Sequence, residues 1–389
     1  MPDASSVPSI QRLDPPATAG AMAPRLAPEA GGTVLASWIE PTEAGHRLRI
    51  ARLDDTIWSE PVSIVEGEDF FANWADTPGV TPVGDQLVAA WPEMLGEGTY
   101  AYGLSIAHGS ETLSAAAEFR RAGLLHDDAT PEEHGFVSFV PAGDGAVRAF
   151  WLDGRELASH GNGPRGSMQL RSTTVTATAD GVEIAPSTVL DRRVCECCST
   201  DAVDTPAGPL VAYRDRDEGE IRDIYVVRAD GSGEGSEPVR VHEDGWRIEG
   251  CPVNGPALDA AGDIVAIAWF TAAEAPRVVM AWSRDGGASF EPPIEIDGTG
   301  TALGRVDLAL DSAGDAWVTW LAVGGSGPAI RLRRIGRGGE IGPARTVVAT
   351  TDRRASGVPR LVADGDRLLI AWVEDAEASA LRVAAVPLS

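Results

Sequence analysis

Three thiols stand within four residues in Val194-Cys195-Glu196-Cys197-Cys198, and the fourth and last cysteine lies in Gly250-Cys251-Pro252-Val253-Asn254. Cys195 and Cys197 are two residues apart, so on an extended backbone they point the same way and can chelate one ion. Cys198 joins them only where the chain bends, and Cys251 is a candidate further ligand from a separate segment. His134 is the candidate imidazole. A thiolate-rich, histidine-poor set suits a soft ion, copper as Cu(I) first and zinc second. The spacing matches no standard zinc motif. Because the cysteine count is even, disulfides compete with metal: Cys195 with Cys251 as a cross-link, and Cys197 with Cys198 as a vicinal bond. Buried, inert thiols are the third reading.

Further polar residues fall near these thiols in the pattern of the chain. His126, Asp127 and Asp128 precede Glu133-His134; His242, Asp244 and Trp246 precede Cys251. Both stretches read as loops, and His126, Asp128, Glu133, His242, Asp244 and Trp246 are expected to surround and orient the ligands. The run Tyr213-Arg-Asp-Arg followed by Ile221-Arg-Asp-Ile reads first as a cross-strand ladder of opposite charges. Its alternative role is to orient the cysteine loop. His46, His108 and His160 are expected to be structural.

What must position these groups is a repeat. A short segment of small and β-branched residues ending in an aromatic recurs seven times, ending at Trp38, Trp91, Trp151, Tyr213, Trp269, Trp320 and Trp372, with spacings of 53, 60, 62, 56, 51 and 52 residues. A period this long and regular indicates a propeller or solenoid. Each unit divides into four short alternating strands, the content of one propeller blade. The last unit shows only three, and Val7–Leu13 supplies the missing one, which closes the ring and hides its edges. The expectation is one all-β domain over residues 1–389, a seven-bladed β-propeller, with six blades as the alternative. Both cysteine clusters then lie just before innermost strands, in blades four and five. Asn73-Trp74-Ala75-Asp76, Glu133-His134, Gly304-Arg305 and Pro359-Arg360 occupy the equivalent point in blades two, three, six and seven, so unlike motifs converge on one channel mouth. Residues 93–100 and 155–167 are insertions that share one face of the disc.

Composition narrows the partners. The chain of 389 residues has 32 basic and 58 acidic residues, a net charge of −26, and every basic residue is arginine. Without lysine there is no Schiff-base or P-loop lysine chemistry. A surface this acidic repels phosphate backbones, which argues against nucleic acid, and attracts cations. No apolar run approaches the roughly 18 residues of a membrane helix. The first 20 residues lack the apolar core of a signal peptide. The protein is then either cytosolic or a chain whose leader has been removed; a thiol-rich copper site favours the periplasm or a secreted setting.

Ser283-Arg-Asp-Gly-Gly-Ala-Ser-Phe290 matches the Asp-box pattern, whose Asp and Gly make the hairpin between a blade's third and fourth strands. With His134-Gly-Phe-Val-Ser-Phe-Val-Pro, Trp151-Leu-Asp-Gly-Arg and the blade period, the chain resembles the sialidase-like, BNR-repeat propellers. The resemblance implies three arginines that bind a carboxylate, for which Arg25, Arg305 and Arg360 at the starts of innermost strands are candidates. It also implies a Tyr–Glu nucleophile and an acidic proton donor. Only four tyrosines exist; Tyr213 reads as an inter-blade packing residue, and Glu133 has no evident tyrosine partner in the sequence. Three functions therefore stand: a copper-binding propeller in metal handling or redox chemistry, a sialidase-like glycoside hydrolase, and a non-enzymatic scaffold that binds protein or glycan.

Overall fold

The computed structural model describes residues 10–29, 31–114, 118–143, 145–157, 166–178, 180–229, 235–375 and 379–388. Among them the strands form seven antiparallel sheets, each meandering outward from an innermost strand. The innermost strands are Met22–Pro28, Gly79–Val83, His134–Pro141, Asp201–Val203, Ala257–Ala261, Ala302–Leu310 and Arg360–Asp364. This is a seven-bladed β-propeller, and the six-bladed alternative falls. Gln11 and Arg12 pair with Ala385 and Ala384, so the N-terminal segment supplies the outer strand of blade seven. Residues 7–9 of the expected closing strand lie outside the described residues, as does His160. No helix among the described residues is long and apolar enough to cross a membrane.

The repeated aromatics explain why the blades stack. Each lies in the second strand of its blade, where small neighbours let adjacent sheets approach. Val88, Ala90 and Leu104 of blade two meet Val137, Ala149, Trp151 and Val175 of blade three in one cluster. Trp38, Trp91, Trp151, Trp269 and Trp320 are all at most 1% exposed. A buried indole N–H needs an acceptor, and four of them find a carboxylate. Trp38 donates to Glu40 at 2.8 Å, Trp151 to Asp153 at 2.8 Å, Trp269 to Asp244 at 2.6 Å and Trp320 to Asp297 at 2.7 Å. The acidic composition thus partly serves the core.

A second device joins blades at the axis. Asp76 Oδ1 accepts the N–H of Phe136 in the next blade at 2.7 Å, and Asp201, Asp259 and Asp307 accept those of Leu258, Leu310 and Leu361 at 2.7, 2.7 and 2.8 Å. Burial pushes Asp76 up to about 7, and burial with the neighbouring Asp307 charge does the same to Asp201. Gly135 is required beside Asp76: a Cβ there would sit 1.9 Å from Asp76 Oδ2. At the channel mouth the innermost strands of blades one, three and six shift register around Ala23, Phe136 and Arg305, each with positive φ. Such bulges bend a strand and re-aim its first side chains.

Candidate functional site

The thiol segment departs from the extended geometry expected of it. The backbone turns at Glu196 and Cys197, so the sulfurs of Cys195, Cys197 and Cys198 all lie within 4.8 Å of one another. Cys195 Sγ is 3.5 Å from Cys198 Sγ and 3.9 Å from Cys197 Sγ. Both separations exceed by far the roughly 2.05 Å of a disulfide, and all four cysteines are free. Cys195 and Cys198 are buried, Cys197 is half-buried and Cys251 is exposed. Cys251 comes from the segment leading into blade five, whose Asn254 meets Cys198 Sγ at 3.4 Å.

The surroundings hold this turn and charge it. Cys195 N–H donates to Arg214 O at 3.0 Å, and Asn254 N–H donates to Cys198 Sγ at 3.4 Å. Arg222, 3% exposed, donates from Nη1 to Cys195 Sγ at 3.1 Å and to Glu196 at 3.3 Å, and from Nη2 to Glu220 at 2.9 Å. Arg216 closes the ring through Glu220 at 2.7 Å and through Glu196. Hydrogen bonds shared with Cys197 and Cys198, then the Arg222 charge, hold the Cys195 thiol well below its ordinary value despite burial. Cys197 and Cys198 are pushed up, Cys197 chiefly by those shared hydrogen bonds, Cys198 chiefly by burial. Three clustered sulfurs facing one guanidinium form a preassembled soft pocket.

The charged run of blade four is therefore more than a ladder. Arg216 and Arg222 reach Glu196 in the middle of the cysteine motif. Arg214, 1% exposed, spends its guanidinium on the carbonyls of Asn254, Arg222 and Phe270 at 3.0, 2.6 and 2.8 Å. Trp246 lies over Arg214 at 4.8 Å, so it supports the thiol segment indirectly. Asp244 is committed to Trp269, with Arg277 and His242 at 3.9 and 4.0 Å, and these groups serve the blade core rather than the thiols.

His134 falls in a second group, with His126 and Asp128, and not among the thiols. The reason is its partners. His134 Nδ1 donates to Glu132 O at 2.7 Å, while Nε2 faces Asp128 at 3.2 Å and Asp153 at 3.5 Å. Burial pulls this histidine down, but the two carboxylates outweigh it and raise it above its ordinary value. His126 accepts Leu104 N–H at Nε2 (3.3 Å), so Nδ1 carries the proton that meets Asp128 at 3.0 Å. The two imidazoles stack in parallel planes, centroids 3.9 Å apart and tilted by 8°. A metal binds in the plane of an imidazole, and one ion cannot lie in two parallel planes. With Arg155 bound to Asp127, Asp128 and Asp153 at 2.8, 3.0 and 2.7 Å, this is a buried charge network.

Glu133 does have a tyrosine partner. Tyr102, on the third strand of blade two (Tyr102–Ser110), donates to Glu133 Oε1 at 2.8 Å. Burial, then the charges of Asp76 and Glu133, push this phenol well above its ordinary value, and Tyr102 is 1% exposed. Spatial adjacency across blades, with the partners 31 positions apart, left no trace in the sequence. The three candidate arginines do not converge. Arg25 donates to Thr77 Oγ1 at 2.7 Å and Val137 O at 3.0 Å and shares the channel wall with Arg360. Arg305 stacks on Trp74 at 4.8 Å and gives its guanidinium to Arg353 O, Ser356 Oγ, Gly357 O and Asp352 O at 2.7–3.1 Å.

No family model matches the chain, and no curated protein matches it. Among solved structures it is similar to a protein of unknown function from Dyadobacter fermentans, at 11% identity and a TM-score of 0.54 over the whole of both chains. It is similar to the polysaccharide lyase Uly1 at 8% identity and a TM-score of 0.57, over 94% of this chain and 89% of that one. The NanB sialidase of Streptococcus pneumoniae aligns over all of this chain and 71% of its own, at 11% identity and a TM-score of 0.48. At these identities the likeness is one of fold.

Proposed function

We propose that Cys195, Cys197 and Cys198 hold one Cu(I) at the channel mouth, in metal handling or redox chemistry. The observation that carries this is the sulfur spacing. Three sulfurs about 2.3 Å from a central ion in a plane stand about 4.0 Å apart, and the two separations from Cys195 Sγ are 3.5 and 3.9 Å. Three clustered thiols suit three-coordinate Cu(I) better than zinc, which takes four ligands in structural sites. Arg222 offsets part of the negative charge that three thiolates bring. Anaerobic titration of the reduced protein with Cu(I), under a competing chelator, is the test. One ion per chain is expected, lost in Cys197→Ser; a reduced wild-type chain that takes none, or that prefers Zn(II), overturns the reading.

A second reading has one observation behind it: the Tyr102–Glu133 pair beside the buried carboxyl Asp76, which is the group set a sialidase-type hydrolase would need. The burial and raised phenol of Tyr102 work against it. Turnover of a fluorogenic sialoside by the wild type, lost in Tyr102→Phe, would support this hydrolase; no turnover removes it and leaves the scaffold reading as the alternative to metal.

A further inference from the structure

Accepting that the trio holds Cu(I), we infer that Cys251 is the entry and exit ligand, through which Cu(I) is exchanged with a thiol-bearing donor or acceptor. The four sulfurs form a path of falling exposure, from exposed Cys251 to half-buried Cys197 to buried Cys195 and Cys198. Cys251 lies outside the compact trio, on the segment whose Asn254, three residues on, meets Cys198 Sγ at 3.4 Å. Glu249, Gly250 and Cys251 are consecutive exposed residues, and a Cβ built on Gly250 would meet nothing within 4 Å. Space for an incoming ligand therefore exists at Cys251 and not at the buried sulfurs.

The backbone fixes this arrangement. Val253, two residues on, has φ of 49°, a conformation that a β-branched residue adopts only under constraint. The constraint is Asn254: its N–H reaches Cys198 Sγ at 3.4 Å, its carbonyl takes Arg214 Nε at 3.0 Å and its Oδ1 takes Arg305 N–H at 2.7 Å. The strand is thus tied to the trio at Asn254 while its preceding turn carries Cys251 out to the rim.

The step is ligand exchange. Cys251 Sγ bonds to the Cu(I) of the incoming bis-thiolate complex and one donor thiolate leaves with the Cys251 proton; Cys197 and then Cys198 displace the second donor thiolate and Cys251, each giving its proton to the thiolate it displaces, and Cys195 joins as the third sulfur, any proton it carries passing to solvent. In each displacement one Cu–S bond forms as another breaks, and copper remains Cu(I) throughout. Release runs the same path backwards.

The test compares wild type, Cys251→Ser and Cys195→Ser as full chains, reduced and anaerobic, with the Cu(I)–glutathione complex as probe. Equilibrium content is read by chelator competition and loading rate by stopped-flow ultraviolet absorption. Cys251→Ser is expected to reach one ion per chain while loading about tenfold more slowly, and to release copper to bathocuproine disulfonate more slowly by a similar factor. Cys195→Ser is expected to lose content itself. Wild-type rates in Cys251→Ser overturn the inference while leaving the trio intact. Loss of content in Cys251→Ser overturns it by making Cys251 a resident ligand, and a wild type that takes no Cu(I) removes trio and entry ligand together.

Discussion

Replacing Arg222 with methionine isolates the charge that the protein sets against the thiols. The side chain is 3% exposed, and methionine keeps most of its length without leaving a charge behind. At 3.1 Å between Nη1 and Cys195 Sγ, the gross attraction at an effective dielectric of 20 is about 5 kcal/mol. Glu196 and Glu220 share the same guanidinium at 3.3 and 2.9 Å, which lowers the net effect toward the ~2 kcal/mol typical of a charge-assisted hydrogen bond. Those carboxylates keep Arg216 as a partner, so the fold should survive. Cu(I) affinity is then expected to fall about thirtyfold at neutral pH, measured by anaerobic competition with bicinchoninate. The loss should shrink as pH rises and the thiols ionise without help, and Arg222→Lys should recover part of it. An Arg222→Met protein with an unchanged melting temperature and affinity within about threefold of wild type would refute the electrostatic account of the pocket.

Gly135→Ala should destabilise the fold by about 1–3 kcal/mol, because its Cβ would meet Asp76 Oδ2 at 1.9 Å; a melting temperature equal to wild type would show that the axis relaxes freely. Trp151→Ala, which empties the contact between blades two and three and strips Asp153 of its indole N–H, should cost about 3–5 kcal/mol in a denaturant titration, against a fraction of that for a rim residue such as Ile57. Stability should also depend on pH in a definite direction. Asp76 and Asp201 titrate at about 7 and Asp259 at about 6 in the folded chain, raised chiefly by burial. From about pH 4 upward the folded state therefore binds more protons than the unfolded chain, and stability falls as pH rises to about 7. Asp127, at about 2 because hydrogen bonds from Arg155 and Ser187 outweigh its burial, acts oppositely and is lost below about pH 4. The melting temperature should peak near pH 4, with a weaker decline toward pH 7 in Asp76→Asn; a steady rise from pH 5 to 8 would contradict this.

The architecture was legible because it is written repeatedly. Seven aromatics at one position in a small-residue strand mark seven blades, and the three-strand last unit points to closure by the N-terminal segment, which Gln11 and Arg12 provide. The thiol cluster was legible because its members are sequence neighbours; the turn at Glu196–Cys197 that gathers Cys198 was not. Which groups from other blades complete each site is fixed by tertiary contacts with no local signature. His134 shares the channel mouth with the thiols in the blade pattern, yet carboxylates on either side of its Nε2 draw it to Asp128 and Asp153. Arg222 reads as one rung of a ladder until the hairpin folds it onto Cys195. Tyr102 and Glu133 come from different blades, and Arg305 begins an innermost strand like Arg25 but turns its guanidinium to loop carbonyls.

The metal content of protein purified under reducing, anaerobic conditions and loaded with excess Cu(I), counted together with its reactive thiols, tests the central claim most directly. One tightly held copper per chain, with Cys195, Cys197 and Cys198 shielded from a thiol reagent and Cys251 still reactive, is the expected result. Four reactive thiols and no retained copper, or sulfurs already joined as disulfides in the active form, would contradict it.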